Sequence, residues 1–77
     1  MFETNLYKIK MARKDWSIWK DFFRRYSREL ILVDHYCVGD EVFAEFRPTS
    51  ILAWSKIKKY LTTEKNMDTK FTIEVLL

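Results

Sequence analysis

Between Asn5 and Met11 apolar and polar positions alternate, with Tyr7, Ile9 and Met11 on one side and Leu6, Lys8 and Lys10 on the other, the period of a half-buried strand. From about Arg13 to Glu29 the large residues Trp16, Trp19, Phe23 and Tyr26 recur at intervals of three and four, which predicts a helix with a broad aromatic face. No glycine or proline marks where that helix stops. Leu30 to Val38 and Glu41 to Arg47 are β-branched and aromatic runs joined by Gly39-Asp40, a two-residue loop that closes a hairpin. The loop fixes a register in which Tyr36 faces Phe43, His35 faces Ala44, Cys37 faces Val42 and Val33 faces Phe46. Val33, Cys37, Val42, Ala44 and Phe46 then share one face, and Asp34, Tyr36, Phe43 and Glu45 the other. Pro48 ends the run, and Thr49 or Ser50 is placed to cap a second helix reaching about Glu64, with Ala53, Trp54, Ile57 and Leu61 inward. After "KNMDT" the tail alternates again, Phe71, Ile73, Val75 and Leu77 forming its inner side.

The resulting order, β-α-β-β-α-β over residues 1–77, makes one α+β domain and resembles the ferredoxin-like plait. That resemblance implies two helices on one face of a four-stranded antiparallel sheet. It carries no function by itself. A chain of 77 residues buries only about 60 to 65% of the surface its unfolded form exposes, so its core must be dense in large side chains. Three tryptophans and six phenylalanines supply them, which leaves few aromatics over for ligands.

Several classes of chemistry fall away. A single cysteine forms no internal disulfide, and the opening "MFETNLYKIK" lacks the basic-then-apolar pattern of a secretion signal, so a cytoplasmic protein is expected. No apolar run approaches the roughly 18 residues of a membrane span, and no membrane partner is expected. One glycine excludes the glycine-rich phosphate loops. His35 and Cys37, two apart on a strand, point the same way as a pair of metal ligands would, but zinc takes three or four and the chain has no other His or Cys. They read instead as a histidine packed on Ala44 and a small inward apolar residue. Asp40 and Glu41 read as solvated turn acids. Neither metal nor cofactor is expected, and the chain, which starts at Met1 and ends on a strand-like run, is expected to be a complete short reading frame without enzymatic activity.

The run "VFAEF", Val42 to Phe46, resembles the end of the RNP1 motif of RNA-recognition domains, which share this element order. The resemblance implies that Phe43 stacks on RNA, with Tyr36, Lys8 and Lys10 beside it. The basic residue and glycine that open the family's motif are absent, and Glu41 stands where a second aromatic belongs.

Charge distribution points to the other layer. The two helices and their leading turn carry ten bases (Arg13, Lys14, Lys20, Arg24, Arg25, Arg28, Lys56, Lys58, Lys59, Lys65) against four acids (Asp15, Asp21, Glu29, Glu64). The rest carries four bases and seven acids, so a net charge of +3 conceals a bipolar molecule. Lys8 and Lys10 are therefore expected to pair with Glu45 and Glu74 across strands. Arg13, Lys20, Arg24 and Arg28 form one helical stripe with Trp16 on its edge, and Lys56 and Lys59 flank an outward Leu52 on the second helix.

This pattern predicts a small non-enzymatic protein whose basic helix layer binds the backbone of RNA or DNA. The alternative is an inhibitor that docks on a larger nucleic-acid-processing host protein, since phage and mobile-element products such as anti-CRISPR and other anti-defence proteins are often stand-alone domains of this size. There the basic stripe would meet an acidic protein surface, with Trp16 and Leu52 as apolar contacts, or the acidic sheet with Tyr36 and Phe43 would mimic nucleic acid. A homodimer, formed head-to-tail by opposite charges or through Tyr36 and Phe43 across a two-fold axis, is a third reading. Against all three stands a solvated basic face with ordinary ion pairs between Asp21, Arg25 and Glu29.

Overall fold

The alternation at the start of the chain forms β1 (Tyr7–Ala12), and a single 3-10 turn (Arg13–Asp15) carries it into α1 (Trp16–Arg25). There follow β2 (Leu30–Val38), β3 (Glu41–Pro48), α2 (Ile51–Thr63) and β4 (Phe71–Val75). The computed structural model describes residues 5–63 and 71–76, and for residues 62 and 63 the backbone alone. The expected end of the second helix at Glu64, the basic Lys65 and the inward Leu77 lie outside the described residues. Two helices and a four-stranded antiparallel sheet make an α+β fold, with strand order β2-β3-β1-β4.

The core is where the alternating patterns converge. Ile9 and Met11 of β1 stand opposite Ala44 and Val42 of β3, so all four point to the same face of the sheet. Trp19, Phe22 and Phe23 from α1 and Ile57 from α2 fill that face, each at most 5% exposed. Trp19 meets Phe22 and Phe71 edge to face at ring centroid distances of 5.3 and 4.9 Å. Phe46 is packed among Tyr7, Phe23 and Trp54. Burying one such side chain fully contributes about 1.5 to 3 kcal/mol, so this cluster of aromatics carries most of a small domain's stability.

Local chemistry sets the element ends. Gly39 adopts φ of 62°, the left-handed region its hairpin position requires. Ser50 is the residue that caps α2, its Oγ accepting the Ala53 N–H at 3.0 Å. Thr49 instead donates its hydroxyl to the carbonyls of Arg28 and Glu29, tying the start of α2 to the segment before β2.

The structure corrects four details of the sequence reading. The first helix ends at Arg25, four residues early, because the Tyr26 carbonyl accepts the N–H groups of both Glu29 and Leu30 and turns the chain into β2. Val33 does not face Phe46: a bulge between Leu32 and Asp34 puts Leu32 there. From Asp34 onward the expected register holds, with Tyr36 on Phe43, His35 on Ala44 and Cys37 on Val42. His35 and Cys37 lie on the helix-facing side but are exposed, because β2 is the outermost strand, although the Trp16 ring of α1 packs against His35. Val75 shares the inner side with Tyr7 yet is exposed for the same reason at the opposite edge.

Candidate functional site

The two faces of the molecule treat their cations differently. On the outer face of the sheet each lysine of β1 is held by a carboxylate: Lys8 reaches Glu74 at 3.0 Å and Lys10 reaches Glu41 at 3.5 Å. The hydrogen bond that the Lys8 ammonium donates to Glu74 holds its pKa above the ordinary 10.5, aided by the charges of nearby acids. Glu45, the partner expected for one of these lysines, accepts a hydrogen bond from the Tyr36 hydroxyl instead, at 3.3 Å. Tyr36 and Phe43 are stacked on each other at 5.4 Å and 18°, and the Lys8 ammonium sits 5.4 Å from the Phe43 ring centre. Phe43 of the RNP1-like run and its neighbour Tyr36 thus both have intramolecular partners on this face.

On the helix side the basic residues are exposed. Arg13 sits in the 3-10 turn, Lys20 and Arg24 on α1, Arg28 in the turn after it, and Lys56 and Lys59 on α2. Arg24 pairs with Asp21 at 2.9 Å, both side chains about two-thirds or more exposed, and Lys56 approaches Glu29 at 3.9 Å. The Arg24–Asp21 pair, exposed on both sides, contributes little to stability. Among the described residues Arg13, Lys20 and Arg28 make no ion pair. Because α1 spans only Trp16–Arg25, Arg13 and Arg28 fall outside the helix on which one stripe was expected; Lys20 and Arg24 keep the helical spacing, and Arg13, Lys20 and Arg28 are each exposed to an approaching anion.

The structure brings some predicted residues together and separates others. Lys20 and Arg24 line one open groove of about 340 Å³ with Phe23, Ser27, Leu30 and Leu32, between α1 and the inner side of β2. Trp16 is half-buried against the His35 imidazole, ring centres 5.0 Å apart, and is thereby held in place rather than free at the edge of the stripe. Leu52 is 83% exposed beside an exposed Ile51 at the start of α2, on a different element from the groove. The sequence reading missed Leu30 and Leu32 as groove residues, and it missed the exposure of Ile31, Val33 and Val38. One signal pointed to them: "LILVDHYCV" is a nearly unbroken apolar run, unlike the alternating β3 beside it.

Among the described residues no helix is long and apolar enough to cross a membrane, and no three His, Cys, Asp or Glu side chains are grouped to hold a metal ion. Two further hollows, of about 280 and 310 Å³, run along β1 and β4 and share Lys10, Glu41 and Thr72. No protein-family model matches the chain, and no curated protein or solved structure matches it.

Proposed function

We propose that the chain is a small cytoplasmic, non-enzymatic binding protein whose helix layer grips the phosphate backbone of a nucleic acid. The observation that carries this reading is the contrast in pairing: Arg13, Lys20 and Arg28 are exposed without an ion pair among the described residues, whereas Lys8 and Lys10 across the molecule each meet a carboxylate. Anions approach the first set at little desolvation cost, and arginines add bidentate contacts to phosphate. Arg24 joins them by exchanging Asp21 for phosphate. The same reading takes the fold as a ferredoxin-like plait, supported by the element order and by β1 and β3 lying at the centre of the sheet.

Fluorescence anisotropy against short labelled RNA and DNA tests it. Affinity should fall steeply with salt, with a slope of about 0.9 per neutralised phosphate on duplex DNA. Reversing Lys20→Glu and Arg28→Glu together should weaken binding more than tenfold and flatten the slope by about 2, without lowering the melting temperature. Equal affinity in the reversed variant would sink the proposal.

A second reading is favoured by Leu52 and Ile51, adjacent apolar residues left bare on α2. In it the chain is a phage or mobile-element inhibitor of the anti-defence kind that docks on a nucleic-acid-processing protein. Leu52→Asp should then abolish capture of that partner while sparing any affinity for nucleic acid.

A further inference from the structure

The nine residues of β2, Leu30 to Val38, include one formal charge, Asp34, and read as a strand covered on both faces. In the folded chain all of them after Leu30 are exposed, with Ile31, Val33 and Val38 each more than half open to solvent. Moreover, among the described residues β2 is the longest strand and lies at the edge of the sheet, with no strand paired to its outer side. The opposite edge is managed differently: β4 has five residues, Phe71–Val75, and Glu74 stands on it in an ion pair with Lys8.

We propose that the free edge of β2 pairs antiparallel with β2 of a second copy of this chain, across a two-fold axis, so that the two sheets become one. This goes beyond the nucleic-acid reading and does not depend on it. The backbone supports self-pairing over other occupants through its register. A two-residue loop makes Val38 and Glu41 a hydrogen-bonded pair, so Tyr36 and Asp34 also point their backbone groups at β3 while His35 and Cys37 point theirs outward. The bulge at Val33 resets the alternation, so the outward positions continue at Leu32 and Leu30 rather than Val33 and Ile31. Two interactions agree with this assignment: the His35 N–H is turned to the Asp34 carboxylate at 2.8 Å, and the Leu30 N–H to the Tyr26 carbonyl at 2.9 Å, neither to β3.

Two such strands match when Leu32 stands opposite the second copy's His35 and Leu30 opposite its Cys37. Every outward position of one strand then meets an outward position of the other, and Ile31 packs beside the second copy's Tyr36 on the outer face. Without the bulge this centred register would oppose inward to outward groups. The pairing keeps the helices of both copies on the same side, and the grooves bordered by Lys20 and Arg24 flank the seam. Asp34 acts as a brake: its carboxylate occupies the His35 N–H, and the two-fold axis brings both Asp34 residues close together.

Sedimentation velocity of the full chain at about 100 µM, well above a micromolar Kd, reads the outcome, with reductant present to exclude Cys37 disulfides. The expected mass is twice the 9.4 kDa of one chain. Cys37→Pro removes an outward N–H and no bond of the β2–β3 ladder, and should return the protein to a single chain with unchanged circular dichroism. Ile31→Lys, on an exposed position, should do the same, and Asp34→Ser should tighten association several-fold. A wild-type mass of 9.4 kDa, which would leave the edge to another partner or to none, overturns the proposal. So does a dimer that survives both Cys37→Pro and Ile31→Lys.

Discussion

The two strands of the central hairpin, β2 and β3, are both rich in apolar residues, yet they lie in opposite environments. In β3 the side chains of Val42, Ala44 and Phe46 are at most 2% exposed, and the positions between them are half-buried. In β2, joined to it by two residues, only Leu30 is buried. The difference lies in position: β3 has β1 on its other side and both helices over it, whereas β2 has one strand neighbour and Trp16 over His35. Hydrophobicity decides which residues seek cover, and sheet order decides which obtain it. A strand that remains uncovered is the part of the molecule with most to gain from a partner.

Substitutions along the hairpin sharpen this contrast. Phe46→Ala should have the largest effect, destabilising the domain by about 3 to 5 kcal/mol in urea denaturation, since it empties a site packed by Tyr7, Phe23 and Trp54. Gly39→Ala, at the junction, should cost about 1 kcal/mol or somewhat more. An added Cβ there meets nothing within 4 Å, so the cost is that of holding an L-residue at φ 62°. Val33→Ala should change stability by less than about 0.5 kcal/mol in dilute protein, as an exposed bulge residue. Its effect should grow at concentrations where the chain self-associates. A loss at Val33 as large as that at Phe46 in dilute protein would break the contrast, because it would mean β2 is covered within one chain.

The candidate site was partly legible from spacing alone. Helical periodicity places Lys20, Arg24 and Trp16 on α1, and the exposure of Leu52 follows from its position outside the Trp54, Ile57 and Leu61 face. What spacing does not carry is partnership. Arg24 turns to Asp21, Lys10 to Glu41 and Trp16 to His35 because of side-chain reach across turns and strands that only the folded backbone sets. The groove beside β2 likewise needs Leu32 on the helix side, which depends on a bulge that the alternation of residues does not announce.

By itself the sequence determined the element order, the inward faces of β1, β3 and α2, the Trp19 and Phe23 part of that of α1 though not its buried Phe22, the hairpin register from Asp34 to Phe43, and the glycine that its turn requires. These are local properties: a period of two or 3.6 residues, a cap, a turn that needs positive φ. Only the tertiary structure decided that β2 lies at an edge, that α1 ends at Arg25, and that Val33 is an extra residue in its strand. The helix end is set by the turn at Tyr26, which Thr49 ties down from the segment before α2, and the other two depend on which distant segments pair. That is fixed by the joint burial of Trp19, Phe46 and Ile57 across three elements, a constraint that no short window of residues contains.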